Sequence, residues 1–330
     1  LKTAVVILNW NTKDFLERFL PGLLDSVKGM DAEVIVADNG STDGSMELME
    51  KLFPSVRTIV LSKNFGFTGG YNRALAEVEA DYFVLINSDI EVSPLWLHPL
   101  VSWMDAHPEC GACGPKLLSW YERDTFEYAG AAGGYLDRYG FPYCRGRVMQ
   151  KVWKDEGQYD APADVLWVTG ACLMVRSRLW KELGGLDGRF FAHMEEIDLC
   201  WRLQIKGYRV TVVPESVVYH IGGGTLPVTS PFKLRLNYRN NLLLLENNLP
   251  LTIGRRKAVW RIFIRKIIDG ITAVAYLFQG KPAFFKAVIE AHREYRKLRL
   301  RPLPDGRARV TGLQPFCMIP RAFLCPEKLK

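Results

Sequence analysis

The chain has 330 residues, of which 48% are hydrophobic, enough for one large domain or two with a substantial core. Its net charge of +7 hides a division: residues 233–330 hold 21 Lys/Arg against 6 Asp/Glu, a net of +15, which leaves −8 on the first 232. Seven scattered cysteines fit a reducing compartment better than a disulfide framework, no apolar run approaches the ~18 to 20 residues that span a bilayer, and Thr3-Ala4-Val5-Val6-Ile7-Leu8 lacks the signal-peptide succession, so a cytoplasmic location is expected.

In chain order, strand and helix patterns alternate. Residues 3–8 predict a strand, 14–27 a helix, 33–37 a strand, 43–52 a helix, 56–61 a strand, and 71–78 a helix opened by a glycine-rich turn. Tyr82-Phe83-Val84-Leu85-Ile86 then reads as a strand buried on both faces, ended by Asn87-Ser88-Asp89. This order predicts an α/β fold with a mostly parallel, doubly wound sheet flanked by helices, whose ligands lie beyond the carboxyl ends of the strands. The first turn, Asn9-Trp10-Asn11-Thr12, lacks GxGxxG, and GxxxxGK[ST] occurs nowhere, which disfavours a dinucleotide site and a P-loop.

From residue 111 to about 225, shorter strand signals and frequent glycines predict mixed or antiparallel strands added to the same sheet. The clearest are 165–175 and 208–213, with a helix at 195–206 between them. Helices are predicted at 232–246, 253–278 and 283–298, then an irregular, proline-bearing extension. Cys110-Gly111-Ala112-Cys113 has CxxC spacing but no second pair, and reads as buried thiols.

Three strand ends carry polar residues that can converge. Asp38 is placed to accept a hydrogen bond from a nucleobase N–H, while Ser41 to Asp43 suit helix capping. In Asn64-Phe65-Gly66-Phe67-Thr68-Gly69-Gly70-Tyr71-Asn72-Arg73, glycines permit close backbone approach to a ligand and the helix start favours anions; a surface turn is the competing reading. Asn87-Ser88-Asp89 is either a plain turn or an Asp placed where Mg²⁺ or Mn²⁺ meets a diphosphate.

The densest cluster runs from Phe190 to Arg202. Adjacent Glu195 and Glu196 repel, and Phe190, Phe191, Met194 and Trp201 desolvate them, which makes a carboxylate usable as a general base near neutral pH. Asp198 and Arg202, spaced i,i+4, suit an ordinary salt bridge. His220 ends a strand before Ile221-Gly222-Gly223-Gly224, and suits a structural histidine or a metal ligand beside a closing loop.

Together with Asn9-Trp10-Asn11 and Trp167-Val168-Thr169-Gly170-Ala171-Cys172, these motifs form an ordered series. On that series the chain resembles inverting glycosyltransferases of family 2 with the nucleotide-diphospho-sugar transferase (GT-A type) fold, particularly the bacterial rhamnosyltransferase-like members, over residues 3–247. The resemblance implies that a nucleotide-diphospho-sugar donor binds along Asn9, Asn11, Asp38, Asn64, Gly66, Gly69, Asn72, Asn87, Ser88 and Asp89. It implies a divalent cation, Mn²⁺ or Mg²⁺, on Asp89 and His220. It makes Glu196 the catalytic base, with Glu195 its rival and Asp198 in the same acidic group. The metal motif departs from the family in opening with Asn87 rather than a carboxylate, and Glu196 stands where many members have Asp. The implied acceptor is a hydroxyl of a saccharide or lipid-linked saccharide in bacterial surface polysaccharide synthesis.

The expected organisation is a catalytic domain over 1–230, with a nucleotide-sugar half (1–110) and an acceptor half (111–230), and a basic helical region over 231–330. Arg255, Arg256, Lys257, Arg261, Arg265 and Lys266 interleave with Trp260, Ile262, Phe263, Ile264, Ile267 and Ile268, a pattern suited to an anionic membrane surface contacted through 231–300, with a helix packed on the catalytic domain as the competing reading. A peripheral place on the inner face of the cell membrane follows; nucleic acid is not expected, because the acidic body repels phosphates. Two other functions compete. A nucleotidyltransferase needs a glycine-rich, basic first loop, which residues 9–12 lack; a non-catalytic nucleotide-sugar-binding protein has no use for the Glu195–Glu196 pair.

Overall fold

The computed structural model describes residues 3–222 and 230–324. Its first part is β1 (Thr3–Asn9), α1 (Lys13–Ser26), β2 (Ala32–Asp38), α2 (Ser45–Leu52), β3 (Arg57–Val60), α3 (Gly66–Ala76) and β4 (Tyr82–Ile86). The four strands pair in parallel, β1 lying between β2 and β4. All five residues of β4 are buried, as a strand covered on both sides requires: Phe83 and Leu85 enter one hydrophobic core, Tyr82, Val84 and Ile86 the other. The register sets Asn9 beside Asp38 and Ile7 beside Ile86, which brings the polar tips of β1, β2 and β4 to one edge.

After β5 (Ile90–Val92), α4 (Leu97–Ala106) and β6 (Cys110–Ser119), the chain forms a small antiparallel sheet of β7 (Gly134–Leu136), β8 (Pro142–Cys144), β9 (Arg147–Val148) and β10 (Lys151–Val152). It then returns through β11 (Ala163–Asp164), β12 (Cys172–Arg176), α5 (Ser177–Glu182), α6 (Glu195–Ile205) and β13 (Arg209–His220). Among the described residues the main sheet has nine strands, ordered β11-β13-β6-β12-β4-β1-β2-β3 with β5 on β13. Along this path only β12 and β11 run against the rest, so the fold is a mostly parallel sheet flanked by helices.

Several predicted boundaries move. The strand expected over 165–175 forms only at its end, as β12 from Cys172; residues 165–171 are irregular, with Trp167 in an isolated bridge to Gly134 and Thr169 Oγ1 accepting from Ala171 N at 3.3 Å. The strands expected at 208–213 and before His220 are one, with a register shift between Val213 and Val217 where Pro214 supplies no N–H. Helix α3 starts at Gly66, so the glycine-rich segment is its first turn. Cys110 and Cys113 are buried, unpaired thiols.

The C-terminal part is helical: α7 (Pro231–Ile253), α8 (Arg255–Phe278), α9 (Pro282–Leu298) and a short α10 (Met318–Leu324) within the stretch expected to be irregular. The helix expected over 253–278 is separated from α7 at Gly254, whose φ of +87° breaks the helical path. On α8 one cation of the expected pattern, Arg265, turns inward, and the apolar residues divide between the core, which takes Ile262, and the surface. Arg265 is buried, donating from Nε to Asp269 at 2.7 Å and lying 4.1 Å from the Phe141 ring, while Trp260, Phe263, Ile267, Ile271, Val274, Leu277 and Phe278 face outward. No helix among the described residues is long and apolar enough to cross a membrane.

Candidate active site

The strand tips are joined by a polar network. Asn9 Nδ2 donates to Asp38 Oδ1 at 2.9 Å and to Ser41 Oγ at 3.0 Å, and Asn9 Oδ1 accepts from Thr12 Oγ1 at 2.6 Å. The Thr12 and Ser88 hydroxyls share a 2.8 Å hydrogen bond, which ties β1 to the turn after β4. The second oxygen of Asp38 accepts from the backbone N–H of Gly40 and Ser41, closing an Asx turn. Asp38 and Asn9 are thus buried scaffold, and Asn11, at φ +52°, holds the rim by accepting from Thr42 N at 2.8 Å. The side-chain cap considered for this stretch does not form: Gly44 holds the N-cap position of α2, and Asp43 Oδ1 accepts from Ser45 N in a turn before the helix.

The glycine segment is fixed by Asn39, which donates to Asn64 Oδ1 and Gly66 O and accepts from Phe65 N. Asn64 Oδ1 also accepts from Gly66 N at 2.7 Å, an Asx turn that starts α3. Two glycines here serve close packing: a Cβ on Gly70 would come 2.7 Å from Leu8, and Gly66, at φ +73°, lies against the Phe191 ring. Gly69 stands between the Phe65 and Arg73 side chains. Asn72 is corrected from ligand-lining to structural: its amide donates to Leu186 O at 2.7 Å and accepts from Leu186 N at 2.9 Å, so both polar atoms are spent on the backbone before α6.

In the β4 tip, Asn87 N donates to Ala171 O at 2.9 Å, which places the turn against Gly170. Buried Asp89 faces buried His220, with Oδ1 3.2 Å from Nε2. On the other side of the ring, His220 Nδ1 lies 3.3 Å from Oε1 of Glu127, a residue outside every motif noted above. Burial pulls the imidazole pKa down, but the two carboxylates outweigh it and raise it to about 10, so the ring is charged unless a cation replaces its proton. One carboxylate and one imidazole suit a cation that completes its shell with a ligand's phosphate oxygens. Among the described residues no group of three His, Cys, Asp or Glu is suited to enclose a metal. Gly223 and Gly224, part of the closing loop expected after His220, lie outside the described residues.

Glu195 and Glu196 open α6, and each leaves its Oε2 buried without a partner. Desolvation raises both pKa values: Glu195 goes well above the usual carboxylate range, helped by the charge of Glu196, and Glu196 goes to about 7. The N–H groups of Glu196, Ile197 and Gly170 hold the Glu196 value back. Gly170 is the meeting point: a Cβ there would lie 3.5 Å from that of Glu196 and 3.3 Å from the Phe67 ring, while the next carbonyl, Ala171, holds Asn87. Asp198 is corrected out of the acidic group. Fully buried, it accepts from Arg202 Nε at 2.6 Å, Asn248 Nδ2 at 2.7 Å and Asn247 Nδ2 at 3.1 Å, which locks α6 to α7.

The loop delivering these acids is strained. Phe191, His193 and Met194 all have positive φ, a conformation non-glycine residues keep only where their surroundings enforce it. The enforcement comes from α7: Asn240 Nδ2 reaches the carbonyls of Phe190, Ala192 and His193 at 2.9, 2.7 and 2.8 Å. Arg239 Nη2 donates to Phe190 O at 2.7 Å, and from the first turn of α3 Thr68 N donates to Phe191 O at 3.2 Å. His193, desolvated and beside the charge of Lys233, has its pKa lowered to about 4 and stays neutral at pH 7.

Polar strand tips facing the Glu195–Glu196 carboxylates on a mostly parallel α/β sheet are arranged as in the GT-A glycosyltransferase fold. The sequence profile of glycosyl transferase family 2 matches residues 4–183; the chain belongs to that family and is a glycosyltransferase. It is 26% identical over 288 residues to an N-acetylglucosaminyl-diphospho-decaprenol L-rhamnosyltransferase of Mycobacterium tuberculosis, covering 82% of this chain and 90% of that one. It is 26% identical over 234 residues to the succinoglycan biosynthesis protein ExoA of Rhizobium meliloti, covering 68% and 65%. Its fold is similar to that of a Pyrobaculum calidifontis mannosyltransferase in complex with GDP-Man and Mn²⁺ (TM-score 0.55, 16% identity, 91% and 76% covered). It is also similar to that of S. aureus TarS 1-349 in complex with UDP-GlcNAc (TM-score 0.56, 15% identity, 89% and 82% covered).

Proposed function

We propose that the chain transfers a hexosyl or rhamnosyl group, with inversion, from a nucleotide-diphospho-sugar to a hydroxyl of a saccharide or lipid-linked saccharide in bacterial surface polysaccharide synthesis. The observation that carries this reading is the Glu195–Glu196 pair, each with one buried, unpartnered carboxylate oxygen, across Gly170 from the Asn87–Asp89 turn. Glu196, titrating near neutrality, takes the proton of the acceptor hydroxyl. That oxygen bonds to the anomeric carbon as the bond to the diphosphate oxygen breaks, and the nucleoside diphosphate leaves with the electron pair. One displacement gives inversion. Asp89 and His220 would hold a divalent cation, Mn²⁺ or Mg²⁺, which would supply charge neutralisation at the diphosphate. The names of the mycobacterial and rhizobial relatives support the polysaccharide and lipid-diphosphate context. Glu196→Gln is expected to bind donor and lose turnover by at least ~10²-fold; full activity in that variant refutes the assignment.

The same reading sets 231–300 against an anionic membrane on the cytoplasmic side. Its support is the outward row on α8, from Trp260 at 62% exposed to Phe278 at 90%, which has exposed Arg255, Arg256 and Lys257 at one end and Lys281 just beyond the other. Two copies paired through this face would oppose like charges in either orientation, whereas anionic lipid complements them. The full chain should sediment with phosphatidylglycerol vesicles at low salt, and a Trp260→Glu, Phe263→Glu variant should not. Equal sedimentation of the two removes α8 as the contact.

A further inference from the structure

Glu127 has no part in the reaction proposed above, yet it is nearly inaccessible, its carboxylate held at one oxygen and facing the His220 ring with the other. Its backbone N–H donates to Leu117 O at 3.0 Å, anchoring it to β6, the strand that pairs with β13 and sets Ser119 beside His220. Oε2 accepts from Ala129 N at 2.6 Å, and Oε1 faces His220 Nδ1 at 3.3 Å. Gly222 leaves room for this: a Cβ there would come 3.2 Å from Oε1. The imidazole is therefore flanked by carboxylates, Asp89 on its Nε2 side and Glu127 on its Nδ1 side.

We propose that Glu127 is a positioning residue for the cation site: it holds the Nδ1 side of His220 so that Nε2 is the nitrogen presented, with Asp89, to a divalent cation and the diphosphate it carries. The inference rests on the cation reading given above. A ligating histidine generally donates its other ring N–H to a carboxylate or carbonyl, which fixes both ring orientation and tautomer. Here Ala129 makes the effect of an isosteric change definite. In Glu127→Gln the Ala129 N–H still needs an acceptor, so the amide oxygen turns to it and the NH₂ faces His220. Nδ1 must then accept, the ring proton sits on Nε2, and the nitrogen facing Asp89 can no longer ligate.

The test is calorimetric titration of the full chain with UDP, GDP and dTDP, with and without Mn²⁺, alongside thermal unfolding without metal. For the nucleotide whose binding Mn²⁺ strengthens in the wild type, Glu127→Gln should reduce the Mn²⁺-dependent gain by ~10- to 100-fold, with affinity in the absence of metal unchanged. In a His220→Gln background the same substitution should have no further effect. An undiminished Mn²⁺ gain in Glu127→Gln, or a further loss on top of His220→Gln, overturns the positioning role. Lower thermal stability with an intact Mn²⁺ gain assigns Glu127 to the fold alone. If Mn²⁺ strengthens no nucleotide in the wild type, the cation reading itself fails, and the inference with it.

Discussion

Replacing Glu196 with Gln should raise the stability of the protein at alkaline pH while it stops turnover. Burial moves the Glu196 carboxyl from 4.5 to about 7 in the fold. At 1.36 kcal/mol per unit, keeping it ionised costs the native state about 3 kcal/mol. The sign follows from proton counting: between these two values the folded protein holds a proton that the unfolded chain has released, so stability falls as pH rises through the window. Integrating over that window gives a cost of about 1 kcal/mol at pH 5.5 and about 3 kcal/mol at pH 8.5. Gln mimics the neutral acid, so the advantage of the variant should grow by about 2 kcal/mol between the two conditions. Urea denaturation of both proteins at each pH measures this directly, and wild-type kcat should rise through about pH 7 as the base ionises. A stability difference independent of pH would refute the claim that this carboxyl is held ionised against its environment.

Asn240→Ala removes the amide shared by three carbonyls of the acid loop; a stability loss of ~1 to 3 kcal/mol is expected, with kcat falling much more than donor affinity. Equal losses in both kinetic terms would mean that the loop is not what the amide controls. Asp198→Ala strands Arg202 and two asparagine amides between α6 and α7, and denaturation should show a loss of ~3 to 5 kcal/mol. A variant as stable as the wild type would return Asp198 to the list of catalytic candidates. Gly70→Ala pushes a methyl to 2.7 Å from Leu8, which should cost ~1 to 3 kcal/mol; wild-type thermal stability would show that β1 and α3 can separate freely.

The parallel half of the sheet was readable because runs such as 82–86 bury both faces and stop at sharp polar turns, a local signal. The acidic helix was found for the same reason. What the sequence concealed is mostly directional. Asn72 and Asp198 sit inside polar motifs, but their side chains point to Leu186 and to α7, and neither target is near in sequence. Glu127 lies 93 positions before His220, in a stretch without periodicity, and only the β6–β13 pairing brings them together. On α8, composition showed that cations and apolar residues alternate but not which face α7 and α9 would cover; Arg265 went inward because Asp269, Asn241 and the Tyr139 carbonyl wait there.

Asn240 also bears on how this enzyme could be re-engineered. Helix α7 is 23 residues, a rod of roughly 35 Å, with Ser230 capping its first turn and Asn240 and Arg239 supporting the acid loop near its middle. Exchanging the C-terminal helices for those of a relative, to retarget acceptor or membrane, would not be a modular graft. Unless the incoming helix offers an amide and a guanidinium at the same height, the loop that presents Glu196 would relax out of its left-handed path. The hybrid would then bind nucleotide yet transfer nothing.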